Sequence, residues 1–296
     1  MEAEDDRRTL LLGVDFEDWH QLVRRRAGAD NWREAGPALA GQTSATLELL
    51  DELELKATFF ILGMAARSHP NLVEEIAAGG HEIACHGDEH YPVYSQTREQ
   101  FGVDLDRAVG TIERLTGTRP LGYRAPAFSI NKRCPWAFEV LAAGGFNYDS
   151  SEHDSPRLRS AGEIVGRGAR QLELRDGELW ELPVAVWYTH GYRVPVGGPS
   201  YWATVPIPFV LRGLDESSPL AGLYMHPYEF DRKALNPKLP PGVPAAARLR
   251  AELRALQRNL TRRRAPLVLK AIAERHRLIP YGEAYAQLRA GAPAGS

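Results

Sequence analysis

Cysteine is scarce in this chain of 296 residues, which contains only Cys85 and Cys134. Two cysteines in a chain of this length cannot form the disulfide framework that stabilises many small secreted domains. Cys85 follows Ile83 and Ala84 in an apolar run, so we expect it to be a small buried side chain rather than a nucleophile.

Long apolar runs and an excess of charge of one sign are also missing. No stretch reaches the roughly 18–20 apolar residues of a membrane span, and the acidic N-terminus lacks the positive start of a signal peptide. We therefore expect a soluble, cytoplasmic protein with no integral membrane segment. The 36 basic residues nearly balance the 38 acidic ones. This balance indicates no nucleic-acid partner and provides no net positive charge that would attract an anionic membrane. The arginine runs at 24–26 and 262–264 are typical of solvated helix faces.

Short apolar runs alternate with segments of helical spacing along the first half of the chain. Strands are predicted at 10–16, 57–62, 81–85 and 146–149, and helices at 44–55, 71–78, 96–115 and 134–143. This alternation predicts an α/β fold with parallel strands and crossover helices. Later strands are predicted at 179–186, 220–225 and 278–281, and helices at 246–259 and 282–288. We see no linker, so we expect one domain over residues 1–290 and a disordered tail at 291–296.

Polar residues recur just after the predicted strands. They lie at 15–18, 86–90, 124–128, 149–151 and 226–231. Active sites of parallel α/β folds, and of barrels above all, form at the carboxyl ends of the strands. Five such clusters therefore predict one shared site.

His86 and His90 are the strongest candidates for metal ligands. Imidazoles four residues apart on a helical or turn-like segment project to the same side and can bind one divalent ion. Asp15, Glu17 and Asp18 end another apolar strand, where their charge is costly unless a cation uses it. Two histidines and a carboxylate, with positions left open, form the catalytic pattern of a zinc-type ion.

Two further strand ends carry side chains suited to catalysis. His226, at the end of an apolar strand and fixed by Pro227, suits a general acid, although a capping or core histidine remains open. Arg124 could orient a carboxylate or stabilise developing negative charge, and a structural salt bridge is the alternative.

Taken together, these motifs resemble the polysaccharide deacetylase superfamily (NodB-homology, carbohydrate esterase family 4). The resemblance runs from about residue 10 to residue 290, in the family's order. More narrowly, the segments GVDFEDWH, HGDEH, GYRAPAFS, FNYDSS and YMHPYEFD resemble the subgroup encoded with bacterial exopolysaccharide and PEP-CTERM/exosortase systems.

The resemblance implies a distorted (β/α) barrel and one divalent metal ion, usually Zn²⁺. It implies Asp15 as the general base, His86 and His90 as ligands, and His226 as the general acid. Arg124 would orient the base, and Asp149 would contact the residues that surround the catalytic groups.

The chain departs from the family pattern at one position. The family commonly has two adjacent aspartates, the first as base and the second as ligand, whereas Phe16 follows Asp15 here. The third ligand is then Glu17 or Asp18. Strand alternation puts Glu17 on the face of Asp15, but a strand that ends at Phe16 would allow Asp18 instead.

The expected function is removal of N-acetyl groups from an N-acetylated saccharide, an exopolysaccharide or its biosynthetic intermediate. Hydrolysis of a non-sugar amide on the same fold is one alternative, and an inactive saccharide-binding protein is another. The sequence also leaves open a homo-oligomer.

Overall fold

A computed structural model describes residues 7–154, 168–175 and 177–291 of the chain. The predicted tail lies outside the described residues except for Gly291. Within the described part, no helix is both long enough and apolar enough to cross a membrane.

One sheet of nine strands forms the centre of the fold and takes strands from both ends of the chain. Seven strands run parallel in the order β10, β1, β2, β3, β4, β5 and β7. The strand β6 pairs antiparallel with β7, and β11 pairs parallel with the first residues of β1. A separate hairpin consists of β8 and β9. The strands are β1 (Thr9–Phe16), β2 (Thr58–Ile61), β3 (Glu82–Cys85), β4 (Gly122–Tyr123), β5 (Tyr148–Asp149), β6 (Arg170–Glu173), β7 (Glu178–Glu181), β8 (Trp187–Thr189), β9 (Tyr192–Val194), β10 (Gly222–Met225) and β11 (Arg277–Ile279).

The seven parallel strands close into a ring just after β7. Val184 forms a parallel bridge with Gly222 of β10. The Gly222 N–H donates to the Pro183 carbonyl at 2.9 Å, and the Ala185 N–H donates to the Gly222 carbonyl at 2.8 Å. The predicted distorted (β/α) barrel is therefore confirmed.

Helices connect the strands and cover the barrel. The helix α5 shows how the sequence sets their limits: Thr97 caps its first turn, and Gly117 ends it with a φ of 70°, which a side chain would disfavour. Its buried face includes Phe101, Leu105 and Ile112. The helices are α1 (Trp19–Arg26), α2 (Ala38–Glu52), α3 (Gly63–Ser68), α4 (Pro70–Ala78), α5 (Arg98–Thr116), α6 (Ala137–Ala143), α7 (Pro199–Trp202), α8 (Ile207–Asp215), α9 (Ala245–Thr261), α10 (Ala265–Arg275) and α11 (Tyr281–Arg289).

Two sequence expectations are corrected. The strand predicted at 179–186 stops at Glu181, because Pro183 has no N–H with which to continue the ladder. The arginine runs are not simply solvated, since Arg24 and Arg262 are buried and donate to backbone carbonyl groups. Helices α1, α3, α7, α8 and α10 were not predicted.

Candidate active site

Glu17, His86 and His90 meet at the carboxyl end of the barrel and are all buried. The Glu17 Oε2 lies 2.7 Å from His90 Nε2 and 3.8 Å from His86 Nε2. The ligand atoms of the three residues lie within 4.8 Å of one another. Burial opposes the charge of Glu17, but His90, His86 and His226 outweigh it and hold the pKa of Glu17 well below its usual range. We call these three residues the metal triad.

Backbone contacts orient the two imidazoles of the metal triad. His86 directly follows β3, and its Nδ1 lies 2.8 Å from the Arg124 carbonyl oxygen. Because a carbonyl can only accept, this contact places the ring proton on Nδ1 and leaves the Nε2 lone pair for a ligand. His90 has a left-handed φ of 58°, and Arg25 holds its carbonyl at 2.7 Å.

Asp15, near the end of β1, forms a buried ion pair with Arg124. The Arg124 Nη1 donates to Asp15 Oδ1 at 2.7 Å. The Arg124 Nη2 donates both to Tyr281 Oη at 2.6 Å and to Ser150 Oγ at 3.1 Å. Gly13 leaves room for this group, because a Cβ there would lie 2.8 Å from Arg124 Nη1. The arginine can therefore fix the direction of the Asp15 carboxylate.

His226 lies on the opposite side of the Glu17 carboxylate. Its Nε2 is 3.6 Å from Glu17 Oε1, and its ring stacks on Tyr228 with centroids 4.9 Å apart. Its Nδ1 lies 3.4 Å from the buried Glu229 carboxylate. Burial disfavours the imidazolium ion, but Glu229, then Glu17 and Asp15, raise the pKa of His226 to about 9. A protonated His226 can donate a proton.

The two remaining sequence candidates lie outside the metal triad. Asp18 caps α1, where its carboxylate accepts from the N–H groups of His20 at 2.8 Å and of Gly36 at 3.3 Å. One oxygen of Asp18 thus faces the start of α1 and the other faces the loop before α2, and Glu17 rather than Asp18 lies with the histidines.

Asp149 supports the backbone beside Arg124 rather than facing the triad. Its carboxylate accepts from Ser151 Oγ at 2.6 Å, and Ser151 Oγ in turn accepts from the Ala125 N–H at 2.8 Å. Its neighbour on β7 is Glu181, and burial raises the pKa of both carboxyls. A raised pKa favours a protonated carboxyl in this pair, which lowers the cost of placing two acids together.

The donor atoms of the metal triad fit a single divalent ion. Two imidazole nitrogens and one carboxylate oxygen are ligands that zinc-type ions prefer, and three protein ligands leave a position for water or substrate. Asp15 near the end of β1 and His226 directly after β10 lie at the same end of the barrel as the metal triad. The arrangement suits hydrolysis with separate proton acceptor and proton donor groups.

Several residues of the site were not identified from the sequence. Glu229 lies three residues after His226, and Tyr281 follows β11, so the strand-end rule points to the right segments without selecting these side chains. Ser150 lies in the polar segment 149–151 and Arg25 in the arginine run 24–26, but neither pattern shows the role of the side chain, because each acts through a contact distant in the chain.

Two family models and several curated relatives match parts of this chain. A family model described as polysaccharide deacetylase matches residues 34–144, and one described as a domain of unknown function, DUF3473, matches residues 162–268. The peptidoglycan deacetylase of Helicobacter pylori is 32% identical over 181 residues, which are 59% of this chain and 60% of that protein. A peptidoglycan deacetylase-like protein of Gibberella zeae is 35% identical over 149 residues, or 48% of this chain and 43% of that protein. The chain thus spans about half the length of these curated relatives.

Solved structures show the same fold at low sequence identity. A structure described as a putative polysaccharide deacetylase from Mycobacterium smegmatis has a TM-score of 0.61 at 20% identity, covering 98% of this chain and 93% of that one. An allantoinase structure has a TM-score of 0.55 at 17% identity, with the same two coverages. Residues 34–144 of this parallel barrel, which include His86 and His90, match the polysaccharide deacetylase family.

Proposed function

We propose that this protein is a metal-dependent hydrolase that removes N-acetyl groups from an N-acetylated saccharide. The observation that carries the proposal is the metal triad with Asp15 and His226 beside it. Relatives described as peptidoglycan deacetylases support the reaction class. Because DUF3473 is the domain of the exopolysaccharide deacetylase subgroup, its match favours an exopolysaccharide or its precursor as substrate.

Glu17, His86 and His90 would hold the divalent ion, which we take to be Zn²⁺. When bound there, such an ion supplies a Lewis acid that polarises an amide carbonyl and makes water more acidic. Asp15 accepts the proton of the attacking water, while Arg124 keeps its carboxylate in place. His226 donates a proton to the nitrogen of the leaving amine, which separates from acetate.

The proposal assigns metal binding to the metal triad and proton transfer to Asp15, so variants of the two should behave differently. The double variant His86→Ala/His90→Ala should lose both bound metal and acetate release from N-acetylglucosamine oligomers. Asp15→Asn should keep the metal and lose turnover, since the amide cannot act as the base. Metal content is measured on the purified proteins by elemental analysis, and Glu48→Gln on the exposed face of α2 is the control.

Three results would contradict the proposal. Full metal retention by His86→Ala/His90→Ala would refute the site. A metal-loaded wild-type protein that cleaves small non-sugar amides but no acetylated saccharide would instead favour the allantoinase-like alternative, which shares the fold. A protein that binds the oligomers and cleaves nothing would favour a saccharide-binding role.

A further inference from the structure

Helix α9 turns its small side chains inward and its large apolar side chains outward. Its buried residues are Ala251 and Ala255, which pack in a cluster with Trp19, Val23 and Tyr228. The leucines on the other side are more than half exposed, with values of 57% for Leu249, 56% for Leu253, 56% for Leu256 and 64% for Leu260. An amphipathic helix of a globular protein normally buries such a stripe.

The four exposed leucines form one continuous stripe. They are separated by four, three and four residues, the spacing that keeps side chains on one face of an α-helix. Leu267 at the start of α10 is also 64% exposed. Scattered exposed apolar side chains need no explanation, but a continuous stripe of them marks an interaction surface. We call Leu249, Leu253, Leu256 and Leu260 the leucine stripe.

Positive charge surrounds the leucine stripe. Residues 245–264 contain seven arginines and one acidic residue, Glu252, although the whole chain has a formal net charge of −2. Arg26, Arg250 and Arg254 line a groove of about 550 Å³ between α1 and α9. Burial, and then the like charges of Arg26 and Arg258, lower the pKa of Arg254.

These three arginines have no carboxylate partner among the described residues. The ion pairs of the described chain include Arg258 with Glu229 at 3.8 Å, but none that involves Arg26, Arg250 or Arg254. Within the described parts of the chain, Arg250 donates to the Ala246 carbonyl, which does not neutralise its charge. The charge beside the leucine stripe is therefore free to meet an anionic partner.

We propose that α9 lies flat on an anionic lipid surface, with the leucine stripe inserted among the acyl chains and the neighbouring arginines against the headgroups. Leucines on one face and basic side chains on the flanks are the features of helices that bind in the membrane interface. Long arginine side chains can reach headgroups while their methylene groups stay in apolar surroundings.

A second copy of this chain fits the same surface poorly. Pairing two α9 helices through their leucine stripes would bring Arg250 and Arg254 of each copy close together, with Glu252 as the acidic residue of each helix. Like charges across an interface are strongly unfavourable. Lipid headgroups such as phosphatidylglycerol supply the opposite charge.

Docking through α9 would hold the candidate active site close to the lipid surface. Arg258 of α9 reaches Glu229, the carboxylate beside His226, and its guanidinium lies 5.8 Å from the Tyr228 ring centroid. Trp19, two residues after Glu17, packs in the same cluster as Ala251 and Ala255. A saccharide carried on a lipid would therefore be delivered near the metal triad.

Vesicle sedimentation tests this proposal without any assay of catalysis. The full chain should sediment with vesicles of phosphatidylcholine and phosphatidylglycerol, less so at high salt, and not with phosphatidylcholine alone. Leu253→Gln/Leu256→Gln should weaken binding on the order of tenfold or more, because two apolar contacts with the acyl region are lost. Arg250→Gln/Arg254→Gln should weaken it roughly 25-fold, since each basic residue near an anionic surface contributes about a fivefold gain.

A matched control removes exposed apolar groups elsewhere. Val103→Gln/Phe209→Gln replaces two side chains that are 51% and 53% exposed, and it should bind like the wild type. Leu256→Trp reports insertion directly, because its fluorescence should shift to the blue on anionic vesicles. Circular dichroism confirms that each variant is folded.

Three outcomes would overturn the proposal. One is the absence of sedimentation with anionic vesicles at low salt. Another is binding that Leu253→Gln/Leu256→Gln and the control reduce equally. The third is a wild-type dimer, measured by light scattering, which Leu253→Gln/Leu256→Gln converts to a monomer without any vesicle binding by either form.

Discussion

Replacing Glu229 by glutamine tests how the site keeps His226 protonated. The Glu229 carboxylate lies 3.4 Å from His226 Nδ1 and accepts from the His226 backbone N–H at 2.9 Å. Glutamine keeps an oxygen for the backbone contact but removes the negative charge. Glu229→Gln therefore changes the electrostatics of His226 more than its position.

The expected size of the effect follows from the burial of the pair. Burial lowers the pKa of His226, and Glu229 is the first of the carboxylates that raise it to about 9. An opposite charge within about 4–6 Å typically shifts a pKa by roughly 1–3 units. A general acid works while it is protonated, so activity persists below its pKa and falls above it. We expect the alkaline limb of kcat/KM to move to lower pH by roughly one to three units in Glu229→Gln.

The assay is acetate release from N-acetylglucosamine oligomers, measured from about pH 6 to about pH 10 with the metal-loaded protein. Glu48→Gln is the matched control, because it removes the same charge from an exposed position on α2. At neutral pH and below, Glu229→Gln should lose much less activity than at alkaline pH. An alkaline limb that coincides with that of Glu48→Gln would refute the role of Glu229, and unchanged activity at every pH in His226→Ala would refute His226 as the acid.

Two further predictions concern stability. Tyr281→Phe should lower the free energy of unfolding in urea by about 1–3 kcal/mol, because the buried Arg124 loses the acceptor at 2.6 Å. The control is Tyr285→Phe, which removes a half-buried hydrogen bond with Asn147. A loss in Tyr281→Phe no larger than that in the control would contradict this prediction. Burial lowers the pKa of His81 from 6.5 to about 4, and its neutral ring accepts from the Ala57 N–H at 3.2 Å. As the pH falls, the unfolded chain therefore binds a proton at His81 before the folded chain does. The neutral His81 contributes on the order of 1 kcal/mol to the free energy of unfolding; this stabilisation is complete above about pH 6.5 and is lost as the pH falls towards 4. His81→Asn should flatten this part of the stability profile, and an equal slope in both proteins would exclude His81 as its source.

The sequence was most informative where structure depends on neighbours in the chain. The strands β1, β2 and β3 are short apolar runs between turn signals, and both their order and their parallel pairing follow from the helices between them. The contact of Val184 with Gly222 that closes the ring could not be predicted from neighbours in the chain. These two residues are separated by the β8–β9 hairpin and by α8. Those intervening elements are short, and the sequence analysis assigned neither the hairpin nor α8.

The residues of the site also divide into those that the local sequence identifies and those that depend on the fold. Strand-end position selected Asp15, His86 and His226, since each follows or ends an apolar run in the sequence. The choice between Glu17 and Asp18 depended on where the chain leaves β1, and α1 decides it. Asp18 is adjacent to a helix start, where its carboxylate satisfies N–H groups that would otherwise lack a partner. Once Asp18 is held in that way, Glu17 is the acid of this segment that remains for the histidines. A helix that the sequence reasoning did not identify therefore selects the carboxylate of the metal triad.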